Sequence, residues 1–321
     1  MRILITGGAG FIGSNFLRLL VSNELKHISK IFILDKLTYA GKIENIGSLI
    51  HDNRQIQFIK GDIADRETLE QFNGRVDLVF NFAAETHVDR SIDHSEDFMR
   101  SNIFGIHAIL EFLRKNLSVK LIQISTDEVY GSIDSGSWDE KFPLEPNSPY
   151  SASKASGDLL IRSYVNTYGV NAVITRCSNN YGPNQDAEKF IPKIITNLLL
   201  GRKVPIYGNG SNIRDWLYVE DHCRAILLAA QKGLKGEIYN IGGGNELTNL
   251  QVAKQIIKIM NKDFSNIELV NDRLGHDYRY SVNWRKAEKH LGYCPSEKFE
   301  VRLVQTIDWY RSNEDFWNLR E

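Results

Sequence analysis

Cysteine is scarce in this 321-residue chain: Cys177, Cys223 and Cys294 lie far apart with no CxxC spacing. Three thiols so placed exclude a disulfide framework and a zinc site, so no metal is expected, and a reducing cytoplasm fits. No run approaches the roughly 18 apolar residues that span a bilayer. The first apolar segment, ILITGGAGFIG, has Arg2 just before it and four glycines within it, so neither a signal peptide nor a membrane partner is expected. Charge of one sign is not in excess either, with 39 Lys and Arg against 40 Asp and Glu, which excludes a broad field for nucleic acid. Repeats, low-complexity tracts and a proline-rich linker are also missing.

What is present reads as a globular α/β protein, 42% apolar and 25% charged. Strand-length apolar runs recur at 2–6, 31–34, 56–59, 77–82, 119–125 and 171–176. Most are too continuously apolar to alternate between core and solvent, which predicts strands buried on both faces. Helical patterns lie between several of them, at GSNFLRLLVSNEL, SEDFMRSNIFGIHAILEFLRKN and SPYSASKASGDLLIRSYVNTYG. This alternation predicts βαβ units and a Rossmann-like, doubly wound parallel sheet. After residue 180 the rhythm changes to loops, short strands and helices. The expected division is a dinucleotide-binding domain over 1–178, to which later segments could return, and a smaller mixed α/β substrate lobe, mainly 179–321.

The loop TGGAGFIG follows the first strand and opens the first helix. Gly7, Gly10 and Gly13 have the spacing of a turn that brings backbone close to a pyrophosphate and packs helix on strand. The helix amino terminus then offers unpaired N–H groups to phosphate. Asp35 ends the second strand 22 residues past Gly13, near the roughly 20 expected for an acid on the adenosine ribose. A carboxylate there favours NAD over NADP, while the adjacent Lys36 pulls the other way. Asp62, after the third strand, is placed either to meet the adenine or to cap the helix of RETLEQF.

Tyr150 and Lys154 in YSASK share a helical face. An ammonium at 154 and an oxidised nicotinamide would lower the phenol from about 10 toward neutrality, fitting it to take a proton from a sugar hydroxyl as hydride leaves. STDEVYG, directly after the apolar KLIQI, raises a further question, because polar groups at the end of a buried strand are costly unless they are used. Elimination of water across C5 and C6 of a sugar needs a base and an acid, and Asp127 with Glu128 can divide those tasks if their surroundings separate their pKa values. Neighbours in a strand point to opposite faces, so the backbone must leave the strand here, which Gly131 permits.

These features resemble the extended short-chain dehydrogenase/reductases that act on nucleotide sugars. The segments FAAETHVDRSI, STDEVYG, PYSASKA, RCSNNYGP, YGNGSNIRDWLYVEDH and DRLGHDYRY are similar, in order and over nearly the whole chain, to the dTDP-glucose 4,6-dehydratase branch. The resemblance implies that Tyr150, supported by Lys154 and Thr126, removes the 4-hydroxyl proton. Glu128 would then take the C5 proton and Asp127 protonate the leaving 6-hydroxyl, with hydride returned to C6. It implies an NAD site of Phe11, Ile12, Asp35, Lys36, Leu37, Thr38, Asp62, Ile63, Phe82, Ala83, Ala84, Glu85, Thr86, Ser101, Tyr150, Lys154 and Asn180 beside the three glycines. It also implies a dTDP-glucose site of Thr86, Thr126, Asp127, Glu128, Asn179, Lys189, Phe190, Pro205, Tyr207, Arg214, Asn249, Asp272, Arg273 and His276. Arg214 is the expected diphosphate partner, and His276 alone reads as a surface histidine. Helices around 96–115 and 150–168 would form a four-helix homodimer interface. Dehydration of UDP-glucose, sugar-nucleotide 4-epimerisation and a non-catalytic NAD-sensing role stand as alternatives.

Overall fold

The computed structural model describes residues 1–23, 25–272 and 274–318. Six strands of the early chain, β1 (Arg2–Thr6), β2 (Lys30–Asp35), β3 (Ile56–Lys60), β4 (Leu78–Asn81), β5 (Lys120–Thr126) and β6 (Asn171–Cys177), join one parallel sheet. Beyond them come β7 (Asn179–Tyr181), β8 (Val204–Tyr207), β9 (Ile213–Tyr218), β10 (Ile238–Ile241), β11 (Glu246–Thr248) and β12 (Ile267–Val270). The large sheet runs β10-β6-β5-β4-β1-β2-β3, so β10 returns to it from the later half of the chain. Strand order reverses between β1 and β4, and a crevice opens there at the carboxyl ends of the strands.

Burial on both faces explains the unbroken apolar runs. In β1, Ile3 and Ile5 face a layer holding Phe16, Leu17 and Leu20, while Leu4 faces Ile106, Leu110 and Leu113 on the other side. The first layer is completed by Cys223, Ile226 and Ala229 of the helix Val219–Lys232, another late element that packs on the sheet. A separate core of Ile191, Ile195, Trp216, Ile256, Leu303 and Tyr310 holds the lobe, in which β12 pairs with β8 and β11-β9-β7 form a third sheet. All three cysteines are free, and no helix is long and apolar enough to cross a membrane among the described residues.

Two helices need comment because they carry the site. The helix Pro149–Tyr168 starts on a capping box, Ser148 and Ser151, with proline at its first position, and ends on Gly169 at φ 71°. The pattern read as one helix over 95–116 is interrupted: Arg100–Phe104 forms a π turn between Ser95–Met99 and Gly105–Lys115. Such a turn re-aims its side chains, and here it sends Asn102 inward.

Candidate active site

A cleft of about 290 Å³ lies at the strand ends and brings together most of the residues singled out above. Its floor is the glycine loop. Gly7 sits at φ +68°, and a Cβ there would stand 2.5 Å from the Ala83 nitrogen. A Cβ on Gly13 would stand 2.4 Å from the Gly7 oxygen, so helix and strand touch. Gly10 differs, because its added Cβ would meet only the Gly7 oxygen at 3.4 Å. The protein leaves room at Gly10, in front of the first helical N–H groups, which suits an approaching pyrophosphate. Asp35 accepts from Ala9 N at 2.9 Å and Leu37 N at 2.8 Å. Burial raises its carboxyl, an effect those two bonds oppose, and a carboxylate retains further lone pairs for a ribose.

Lys36, Thr38, Ile63, the run Phe82–Thr86, Ser101 and Asn180 also line the cleft, as do Phe11, Ile12 and Asp62. Asp62 does not cap the following helix; Asp65 does, accepting from Glu67 N at 3.1 Å. Asp62 instead accepts from Ala64 N and pairs with Lys36 and Arg100, each at 3.1 Å. Burial pushes its carboxyl up, but those partners outweigh it and hold it below the ordinary value. Leu37 adopts φ 57° and packs, partly buried, against the core, with its N–H serving Asp35.

At the end of β5 the backbone leaves the strand. Thr126 is its last residue, Asp127–Tyr130 form a 3-10 turn, and Gly131 takes φ 85°, where a Cβ would meet the Glu145 oxygen at 2.3 Å. Asp127 and Glu128 therefore both line the cleft with Tyr150 and Lys154. Asp127 is 1% exposed, and its Oδ2 has no partner. Burial, then Glu128 and Asp215, raise its carboxyl well above the usual range against the opposing pull of Arg214 and Thr126. A shift in that direction suits a proton donor.

Tyr150 is shaped first by its burial. In the protein alone, burial, followed by Glu128 and Cys177, raises its phenol well above 10, opposed by a hydrogen bond with Thr126. Lys154 Nζ donates to Ile124 O at 2.8 Å, and burial lowers its ammonium. The polypeptide thus keeps the phenol neutral, and any further cation must arrive with the ligands.

Several positioning residues were not foreseen. Asn102 donates to Glu85 O at 3.0 Å and Ser153 Oγ at 2.9 Å and accepts from Glu85 N, tying the 82–86 loop to the helix of Tyr150. Asp215, inside β9, accepts from Gly243 N and Asn245 N and brings a second buried carboxyl beside Asp127. Arg176 bonds Asp158 at 2.8 Å and Tyr130 Oη at 2.7 Å, joining that same helix to the 127–130 turn. His222 meets Asn180 Oδ1 at 2.8 Å, and burial drives it down to about 3, so it is neutral. An acid inside an apolar strand, as in IRDWLY, is the only sequence signal any of these offers.

Of the expected sugar-nucleotide residues, Thr86, Asn179 and Lys189 line the same cleft, with Lys189 Nζ on Thr86 O at 3.2 Å. Phe190, Pro205, Tyr207, Arg214, Asn249, Asp272 and His276 stand outside its lining, in the lobe. Phe190 stacks on Trp216 with centroids 5.8 Å apart, and Tyr207 meets His276 edge-on. His276 is no free surface histidine: its side chain is 6% exposed and bonds Asp272 at 2.6 Å. The Arg214 guanidinium donates to the carbonyls of Ile213, Asp277 and Tyr278 and stacks over Tyr280 at 4.2 Å. Arg273 lies outside the described residues. Among the described residues no three His, Cys, Asp or Glu side chains gather as metal ligands would.

Comparison with known proteins agrees with this geometry. The family model described as GDP-mannose 4,6 dehydratase matches residues 4–306. A dTDP-glucose 4,6-dehydratase from Streptomyces niveus is 48% identical over 319 residues, 99% of this chain and 95% of the relative. The crystal structure of a dTDP-glucose 4,6-dehydratase from Streptomyces venezuelae, with NAD bound, superposes with a TM-score of 0.96 at 46% identity over the whole of both chains. A UDP-glucose 4-epimerase from Thermotoga maritima is more distant, with a TM-score of 0.89 and 32% identity, covering 98% of this chain and 100% of its own. The chain belongs to the nucleotide-sugar dehydratase family that the GDP-mannose 4,6 dehydratase model describes, and within it to the dTDP-glucose 4,6-dehydratases.

Proposed function

We propose that this protein converts dTDP-glucose to dTDP-4-keto-6-deoxyglucose with a tightly held NAD. The observation that carries the reading is the turn at 127–130, which puts Asp127, its carboxyl raised by burial, and Glu128 on the same wall as Tyr150. An epimerase has no use for that second acid and base. The residues present fit NAD: an open approach at Gly10, a ribose acid at Asp35 and a wall of small, apolar and polar residues from Phe82 to Thr86. When bound, NAD supplies the acceptor and later the donor of hydride.

The chain's own groups do the remaining work. Tyr150, hydrogen-bonded to Thr126, would take the proton of the 4-hydroxyl as the phenolate that the positive charge of oxidised NAD would favour. A ketone at C4 acidifies C5, and Glu128 removes that proton. Asp127 gives its proton to the departing 6-hydroxyl, a direction its raised carboxyl favours. Lys154, fixed on Ile124 O, orients the helix and adds a positive charge near the phenol. Lys189 and Asn179 face the sugar, and the lobe cluster around Tyr207, Asp272 and His276 holds the nucleotide. Arg214 acts through the 277–280 segment it binds, with the diphosphate nearby.

We further propose a homodimer, supported by Met99, Phe104 and Leu159, which are 45%, 63% and 53% exposed on the helices flanking the site. Light scattering should give twice the mass of 36.7 kDa, and a single-chain mass at working concentration contradicts it. The function is tested by offering dTDP-glucose and UDP-glucose in competition and weighing the products. Loss of one water from the thymidine nucleotide first is expected; recovery of both unchanged from folded, NAD-loaded protein overturns the reading.

A further inference from the structure

The short helix Glu314–Asn318 packs with the lobe, yet its Phe316 forms part of the wall of the dinucleotide cleft, beside Gly41, Asn45, Asn184 and Gln185. Nothing in the sequence motifs points there. The ring is half-buried and held from several sides. Trp317, 6% exposed, anchors the helix by donating Nε1–H to Tyr310 O at 2.8 Å, and the Tyr310 hydroxyl in turn bonds Gln185 O. Trp309 meets Phe316 edge-on with centroids 5.0 Å apart, and Lys42 Nζ lies 5.8 Å from its ring centre.

Two residues near it, Lys42 and Asn45, are tied to the glycine loop. Lys42 N and Asn45 Nδ2 both donate to Ala9 O, at 3.1 and 2.7 Å. Arg18 reaches Asn45 O at 2.6 Å and Asn184 Oδ1 at 3.4 Å, joining the two polar rims from beneath. Phe316 is thus a large apolar side chain set in a rim that is otherwise small or polar. A flat ring there shares the cleft wall with Gly10 and Asp35.

We propose that Phe316 is a dinucleotide-holding residue, through which the lobe closes over the ribose–pyrophosphate stretch of NAD and slows its release. The inference rests on the reading of the cleft as an NAD site. It has a chemical purpose, because a reaction that takes hydride from C4 and returns it to C6 needs the same cofactor through the whole turnover.

The test follows release of radiolabelled NAD from the loaded wild type, Phe316→Ala and Phe316→Leu after addition of excess unlabelled NAD. Release from the alanine variant should be about tenfold faster, the factor that 1.4 kcal/mol of lost contact gives, with leucine between the two. Leucine keeps an apolar contact with Trp309, so it preserves the fold should alanine not. Release from the folded variants at the wild-type rate overturns the inference. A wild type that retains no label overturns the dinucleotide reading itself, and the inference with it, which is a different result.

Discussion

Lys154 Nζ donates to the carbonyl oxygen of Ile124 at 2.8 Å, so the helix that carries Tyr150 is bolted to the strand whose end carries Thr126, Asp127 and Glu128. This buried bond helps to hold the two halves of the chemistry, oxidation and dehydration, in register, together with the Arg176 bonds to Asp158 and Tyr130. Replacing Lys154 by methionine removes both the bond and the charge. The drop in kcat should be about 10²–10⁴-fold, and the rising limb of the pH–rate profile should move to higher pH, since a phenolate without a nearby cation is harder to form. A structural role alone would lower kcat without moving that limb.

Asp127 should make the protein less stable as pH rises. Its carboxyl is raised in the folded state by burial, Glu128 and Asp215, so between the ordinary carboxylate value and the folded one the native state binds more protons than the unfolded chain. Stability is then lost with increasing pH over that window. Asp127→Asn imitates the protonated form, and thermal melting should show it more stable than wild type, by a margin that widens from acid toward neutral pH. The same variant should lose about 10²–10⁴-fold in dehydration while C4 oxidation persists.

Gly10→Ala separates folding from cofactor binding. The added methyl meets only the Gly7 oxygen at 3.4 Å, so stability should change by less than about 1 kcal/mol. Calorimetric titration with NAD should show a loss of about 100-fold in affinity, ~2.8 kcal/mol. Gly7→Ala, at positive φ and 2.5 Å from the Ala83 nitrogen, should fail to fold.

The pair Arg176–Asp158 is buried, with side chains 4% and 2% exposed, and also holds Tyr130. Arg176→Met leaves an uncompensated carboxylate and should cost about 3–5 kcal/mol in denaturant unfolding. Arg176→Met combined with Asp158→Leu should recover much of that stability, yet kcat should stay low, because Tyr130 at the end of the catalytic turn keeps only its bond to Asn240 and loses the one that ties it to the helix of Tyr150.

The parts of this molecule that were legible in the sequence are those set by local rules. Burial on both faces makes β1 continuously apolar, and the Gly7–Gly13 spacing and Asp35 follow from one turn and one strand. The 127–130 turn was legible because two adjacent acids cannot face one cleft from a regular strand. What was hidden depends on distant packing. Asn102 points inward only through a π turn, which no periodicity marks, and Asp215 reaches Asp127 only because β9 crosses behind it. The raised phenol of Tyr150 in the protein alone was hidden for the same reason, since burial and the charge of Glu128 act through space.

The central claim is that one sugar ring passes a hydrogen from C4 to C6 while Glu128 and Asp127 remove water between them. Incubating the enzyme with dTDP-glucose deuterated at C4, and reading the product by NMR, tests this directly. The account predicts a 4-keto-6-deoxy sugar whose methyl group carries the deuterium. Deuterium found in solvent, or restored to C4 of a sugar that has kept its 6-hydroxyl, would contradict it.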